Sequence, residues 1–195
     1  EPNTIRLENM RLTDKVHHIL TNHLQEGNQA IDATAGNGYD TLFLAKQVGS
    51  SGKVIAIDIQ GCAIQSTQEK LESAGLIDRV RLVTEDHALA LRKLIEANQN
   101  KVAAITFNLG YLPGSDKSIQ TRAESTDEAL SASIQLLTTG GYLCVTAYRG
   151  HSGGTSEAEA VEAFMRKSQK EGHEVDCYEP ESSNSPPILW VLRKR

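Results

Sequence analysis

The sequence predicts an α/β fold: one mostly parallel sheet with helices on both faces, closed by an antiparallel hairpin. Three observations predict it. From Gln29 onward, short apolar runs alternate with longer stretches of helical periodicity. The first such pair is joined by a glycine turn, D-A-T-A-G-N-G-Y-D at 32–40, so it opens a strand–helix–strand unit. The last two apolar runs, 173–179 and 187–193, have no helix between them and pair as a hairpin through loop 180–187.

In chain order, residues 4–25 read as a helix or two short helices. Ile5, Leu7, Met10, Leu12, Val16, Ile19 and Leu20 give the apolar stripe, and Thr13 or Asp14 is the candidate cap of a second piece. This segment precedes the first strand, so it covers a sheet edge or helps form a substrate mouth. Strands are expected at 29–33, 53–58, 79–83, 102–107 and 141–147, before the two of the hairpin. Helices are expected at 40–48, 62–74, 87–97, 121–138 and 156–171. The sheet is therefore seven-stranded. Loops 108–120 and 148–155 are the long connections. No internal repeat or linker divides the chain, so residues 1–195 read as a single domain. The loops that follow the first five strands gather at the sheet's carboxyl edge, where ligands bind in such sheets.

A chain of 195 residues can bury a substantial core, and 39% apolar with 23% charged residues excludes a disordered chain. There is no run of 18 apolar residues, and positions 1–30 carry no secretory apolar core. No membrane span and a cytoplasmic location are the expectations. Cys62, Cys144 and Cys177 form no C-x-x-C and read as buried or half-buried free thiols in a reducing compartment. The net charge of −5 argues mildly against a wide nucleic-acid channel. Local basic groups remain at Arg149, Arg166, Lys167, Lys170 and the C-terminal R-K-R. His17, His18 and His23 invite a metal reading, but no acid or cysteine pattern accompanies them and no metal is expected.

The candidate site starts at the glycine turn. Gly36 and Gly38 allow close backbone approach, and the helix that follows offers free N–H groups. Asp32 and Asp40 add carboxylates, which suits a ligand bearing a cationic group, hydroxyls and a carboxylate. Asp58 ends the second strand 20 residues after Gly38, where a carboxylate can accept from a ribose diol. The dinucleotide fingerprint G-x-G-x-x-G is incomplete, because Thr41 stands where Gly or Ala belongs.

Three further loops carry polar groups. T-E-D-H at 84–87 gives Asp86 two readings, an acceptor for an adenine amino group or the cap of the next helix. His87 can pack on a ring or sit in solvent, and its ordinary titration range also permits proton transfer. F-N-L-G-Y-L-P-G at 107–114 places Asn108 and Tyr111 after an apolar strand. They suit an extruded base and its reacting group, or equally a packed loop with a buried aromatic. Asp116 and Lys117 beyond them are substrate contacts or a surface pair. Y-R-G-H-S-G-G-T-S-E at 148–157 is either a phosphate cradle with Arg149 and His151, or an irregular turn capped by Ser156 with Glu157 and Glu159 at the helix start. In 181–187, Pro186 and Pro187 stiffen a rim, and Asn184 is a base contact or a turn former.

At these motifs the chain resembles a family of small class I S-adenosylmethionine-dependent methyltransferases formerly called putative rRNA methylases. Its members include a bacterial tRNA 5-(aminomethyl)-2-thiouridine methyltransferase. The matching segments are D-A-T-A-G-N-G-Y-D-T-L-F-L-A, N-L-G-Y-L-P-G-S-D-K, Y-R-G-H-S-G-G-T-S-E and N-S-P-P-I-L, and the likeness runs from about Val16 to the end. Family members often carry His at Tyr39, Gly at Ser115 and Pro at Ser152. The resemblance implies a Rossmann-like sheet of the class I methyltransferase kind and S-adenosyl-L-methionine as cofactor. It implies that Asn37 and Asp40 help hold the methionine part, that Gly38 and Thr41 also bind the cofactor, and that Asp58 and Gln60 lie about the ribose, with Asp86 and His87 on the adenine side. Asn108 and Tyr111 then face the target base, and His151 and Gly153 belong to a substrate-side loop, with His151 a candidate base. The implied substrate is the wobble uridine of a tRNA anticodon stem-loop, whose aminomethyl group becomes methylaminomethyl, and the implied assembly is a homodimer. Other readings of the same residues are an rRNA base methyltransferase, a small-amine methyltransferase, an NAD-dependent oxidoreductase and a binding-only module.

Overall fold

The computed structural model describes residues 10–99, 101–110, 123–149, 154–180 and 187–195. Helix α1 (Leu12–Thr21) is followed by strand β1 (Gln29–Asp32), helix α2 (Tyr39–Gln47), strand β2 (Lys53–Asp58) and helix α3 (Gly61–Ser73). A 3-10 turn (Ile77–Arg79) leads into strand β3 (Val80–Thr84), helix α4 (His87–Glu96) and strand β4 (Val102–Leu109). Helix α5 (Ala123–Leu136), strand β5 (Leu137–Ala147), helix α6 (Gly154–Lys170), strand β6 (Glu174–Tyr178) and strand β7 (Ile188–Arg193) complete the order.

The seven strands lie in the order β3-β2-β1-β4-β5-β7-β6. The pairs from β3 through β5 are parallel, and β7 runs antiparallel to both β5 and β6. The expected terminal hairpin is present, with a feature the hairpin alone does not give: α6 carries the chain past one strand position, and β7 returns into that gap. The order reverses between β1 and β4, so a crevice opens above their carboxyl ends.

Period-two alternation sends side chains to two cores. On β7, Trp190 and Leu192 face one side, with α4, α5 and α6; Leu189 and Val191 face the other, with α1, α2 and α3. On β4, Ile105 and Phe107 join the first core and Ala104 the second. The small residues Ala30, Ala103 and Ala104 under α1 and α2 let those helices sit close to the sheet. Removing each fully buried Leu or Ile from water contributes roughly 1.5–3 kcal/mol. Leu20, Ile31, Leu44, Ile57 and Ile105 are all of this kind.

Several expected boundaries move. Helix α1 starts after Arg11, so Thr13 and Asp14 lie inside it rather than capping it; Asp14 instead takes an ion pair from Arg11 at 2.9 Å. Strand β5 starts at Leu137, where helix was expected to run on to 138. Gly140, at φ 83, keeps the chain in the sheet opposite a register shift between Val102 and Ala104. Helix α6 begins at Gly154 rather than 156, which puts Ser156 within the first turn. All three cysteines are free, but only Cys144 is buried; Cys62 and Cys177 are exposed, against the expectation. No helix among the described residues is long and apolar enough to cross a membrane.

Candidate functional site

The glycine turn is built from backbone bonds and one close approach. Gly38 stands as N-cap of α2 at φ 78, and the helix start has no side-chain cap. Its first-turn N–H groups therefore open toward the crevice. A Cβ on Gly38 would lie 2.8 Å from the Thr67 backbone, so only glycine lets α2 and α3 pack here. The Thr67 hydroxyl donates to the Gly36 carbonyl at 3.2 Å and fastens the turn to α3. Asn37 is exposed at the tip.

Three carboxylates surround this turn. Asp58 accepts the Gly36 N–H and the Gln60 N–H, each at 2.9 Å and each on a different oxygen. Each oxygen keeps a second lone pair. Asp32 is fully buried and accepts from the Thr41 hydroxyl at 2.6 Å and the Thr34 N–H at 3.3 Å. Burial, then the neighbouring Asp40 charge, pushes its carboxyl up to about 7 despite those bonds. Thr41 is itself fully buried, so its hydroxyl serves Asp32 beneath the turn.

After β3, Asp86 takes the capping role. One oxygen accepts the N–H groups of Ala88 and Leu89, and the other accepts from the Ser125 hydroxyl at 2.7 Å. Burial pushes this carboxyl up, but the Ser125 bond and the helix N–H groups outweigh it and leave it below its ordinary value. His87 is buried rather than solvated, with its ring edge-on to Phe107 at 5.6 Å. Burial lowers its pKa against the pull of Asp86 and Glu157, so the neutral ring is favoured. Ile59 and Leu89 stay exposed at this edge, one just after β2 and one in the first turn of α4. Sequence reasoning gave them no role; their only signal is an apolar side chain beside a polar strand-end motif.

Strand β4 runs two residues past the expected end at 107, and from its paired end Asn108 reaches across the crevice. Its Nδ2 donates to Asp40 at 2.7 Å, and its backbone N–H donates to the Thr34 hydroxyl at 2.6 Å. The other Asp40 oxygen lies 2.7 Å from His17 Nε2. The His17 ring stacks on Phe43 at 3.9 Å with a 6° interplanar angle. Of the other two N-terminal histidines, His23 bonds the Ala103 carbonyl and His18 lies near Asn22. No cluster of three or more His, Cys, Asp or Glu suited to a metal occurs among the described residues. Tyr148, half-exposed at the end of β5, has its N–H on the Leu109 carbonyl, and burial with the Asp40 charge raises its phenol. Tyr111, Ser115, Asp116, Lys117, His151, Ser152, Gly153, Asn184 and Pro186 lie outside the described residues. So do residues 150–153 of the loop read as a phosphate cradle. Glu157, expected near the α6 start, is buried there and accepts from Thr126 at 2.6 Å.

The basic groups flagged in the sequence are largely engaged within the chain. Arg149 pairs with Glu179, and Arg193 and Arg195 both meet Glu174. Arg166 lies 3.6 Å from Glu162 and Lys167 3.8 Å from Glu171. Lys194 donates to the Ile134 and Leu137 carbonyls at 2.7 Å.

The site thus joins a glycine turn and acid-ended β2 to an Asn-ended β4 across the switch point. A family model described as "Putative rRNA methylase" matches residues 54–193. The chain belongs to that family. A model for protein-L-isoaspartate(D-aspartate) O-methyltransferase also matches residues 8–93. Among solved structures, one from Clostridium thermocellum described as a "putative rRNA-methylase" is 38% identical, with a TM-score of 0.89 over 95% of this chain and 98% of that one. A protein from Streptococcus mutans described as "a putative methyltransferase", solved in complex with SAH, is 32% identical with a TM-score of 0.83, over 95% of this chain and 99% of that one. A chloroplastic tRNA (mnm(5)s(2)U34)-methyltransferase from Arabidopsis thaliana is 40% identical over 162 residues, 79% of this chain. The chain spans 58% of that relative's length. Family and fold thus agree with the resemblance read from the four motifs.

Proposed function

We propose that this chain is an S-adenosylmethionine-dependent tRNA methyltransferase that acts on the exocyclic amine of wobble 5-aminomethyl-(2-thio)uridine. The observation that carries this reading is the Asn108–Asp40 bond. It sets an amide acceptor at the end of β4 directly beside the glycine turn. The 40% identity to the Arabidopsis tRNA methyltransferase supports the choice of acceptor.

The residues present suit the cofactor. The uncapped start of α2, with Asn37 and Gly38, offers N–H groups to its carboxylate. Asp40 beside it favours positive charge. Asp58 retains lone pairs for the ribose hydroxyls, with Gln60 alongside. Ile59 and Leu89 are exposed apolar surfaces for the adenine faces, with the Asp86–His87 helix start next to them.

When bound, S-adenosylmethionine supplies an electrophilic methyl group: the acceptor lone pair forms the N–C bond, the S–C bond breaks and sulfur keeps the electron pair. The protein's own work is placement and charge. Asp40 holds the Asn108 amide nitrogen, which leaves the Asn108 carbonyl to accept from the acceptor amine. An ammonium acceptor must first release a proton to solvent or to a nearby base, and His151 is the candidate. Tyr111 stacks or orients the base. A wobble base already lies in a single-stranded loop, so presenting it costs less than extrusion from a duplex. In this reading the partner is the anticodon stem-loop, and an acidic chain shares it across the two surfaces of a homodimer.

Mass analysis of nucleosides from cells with and without this protein tests the reading. Loss of methylaminomethyl-(2-thio)uridine from tRNA, with accumulation of the unmethylated amine, is the expected result. Unchanged tRNA with a methyl missing from rRNA overturns it in favour of the rRNA reading that the family's description suggests.

A further inference from the structure

Helix α1 lies outside the strand–helix units, yet it sends one polar side chain into the site. His17 is 28% exposed at its side chain and Asp40 14%, so their 2.7 Å contact sits at the rim of the crevice, partly shielded from water. The contact joins residues 23 apart in sequence and tethers α1 to the first turn of α2. Phe43, one turn further along α2, holds the imidazole plane by stacking at 3.9 Å. Ring plane and ring nitrogen are therefore both fixed by α2.

Asp40 is bound on both oxygens, one toward His17 and one toward Asn108. An ionised carboxylate only accepts hydrogen bonds. Asn108 must then present its NH2 to Asp40 and turn its carbonyl oxygen away. Asp40 thus decides which end of the Asn108 amide faces the crevice, and His17 decides whether Asp40 is held. With one oxygen free, the carboxylate could turn about its last torsion and lose the Asn108 geometry. Buried or half-buried polar networks of this kind depend on every member being satisfied.

We infer that His17 is a positioning residue for methyl transfer: through Asp40 it fixes the Asn108 carbonyl toward the acceptor amine. This rests on the methyltransferase reading for its catalytic consequence, but the positioning itself does not. The acceptor nitrogen gains positive charge as the new bond forms, so an oriented carbonyl acts in the transition state more than in the bound state. Loss of His17 should therefore lower kcat more than it weakens cofactor binding.

Two variants separate the contributions. His17→Phe keeps an aromatic ring for Phe43 and removes the bond to Asp40. His17→Gln keeps an N–H donor and removes the ring. With aminomethyl-bearing tRNA and S-adenosylmethionine both saturating, His17→Phe should lower kcat at least about 10-fold, with SAH affinity within about threefold of the native protein. His17→Gln should recover most of the loss. A second readout needs no RNA: the side-chain NH2 protons of Asn108, identified by their disappearance in Asn108→Ala. These should be slow to exchange in the native protein and in His17→Gln, and fast in His17→Phe. Unaltered exchange in His17→Phe, or parallel loss of SAH affinity and kcat, overturns the inference. If native protein transfers no methyl to the tRNA while the Asn108 signal responds as stated, the functional reading fails and the positioning stands.

Discussion

Gly38→Ala should destabilise the protein by about 2–4 kcal/mol and weaken SAH binding at least about 10-fold. An L-residue at φ 78 costs about 1–2 kcal/mol. The new Cβ would lie 2.8 Å from the Thr67 Cα and 2.9 Å from its Oγ1. Thr67 is fully buried in α3, and a backbone atom cannot rotate aside. Carbon atoms pack at about 3.5–4.0 Å, so the turn and α3 must separate by somewhat under about 1 Å. Overpacking of that size costs about 1–3 kcal/mol. The unfolded chain loses entropy on gaining a side chain, which returns about 0.4–1 kcal/mol. The same shift displaces the start of α2, and with it Asp40. Gly75→Ala and Gly61→Ala calibrate the sum. Gly75 has φ 67 with nothing within 4 Å of the added Cβ, so it should show strain without the clash, about 1 kcal/mol. Gly61 has an equally open site and no such φ, and should be neutral or slightly stabilising. Urea unfolding gives the three stabilities, and calorimetric titration with SAH gives the affinities. Gly38→Ala matching Gly75→Ala in both would refute the packing argument.

Two further predictions concern the carboxylates. The Asp32 carboxyl is raised from 3.8 to about 7, so the folded state binds its proton more tightly than the unfolded chain does. Its ionisation therefore costs stability as pH climbs from about 4 through about 7. Measured against Asp32→Asn, the native protein should lose up to about 4 kcal/mol between pH 4 and 8; a difference that stays flat across unfolding curves in that range would remove the assignment. Asp58→Ala should lower SAH affinity at least about 10-fold, because both a ribose acceptor and the tie between Gly36 and Gln60 are lost. Unaltered affinity by calorimetry would show that the ribose lies elsewhere.

The element order was legible because its cause is local: periodicity, glycine turns and strand-end acids. The boundary of β5 was not, since Leu136 and Leu137 satisfy a helix face and a strand equally well. Gly140 falls between the expected helix and the expected strand from 141, yet it lies within β5. The place of β7 between β5 and β6 is a choice of sheet edge that no local pattern records. At the site, Asp58 and Asn108 were legible as polar residues ending apolar strands. Asp86 offered two roles, and the two N–H groups of Ala88 and Leu89 favour the cap. The His17–Asp40 contact left no local trace. In the sequence His17 was one of three nearby histidines, and only the docking of α1 against α2 separates it from His18.

The most direct test incubates the purified protein with S-adenosylmethionine carrying a deuterated methyl group and with tRNA bearing 5-aminomethyl-2-thiouridine at the wobble position. Digestion and mass analysis then locate the label. One labelled methyl on the exocyclic aminomethyl nitrogen is the expected result. Label on a ring atom, or no transfer to this tRNA while another RNA is labelled, would contradict it.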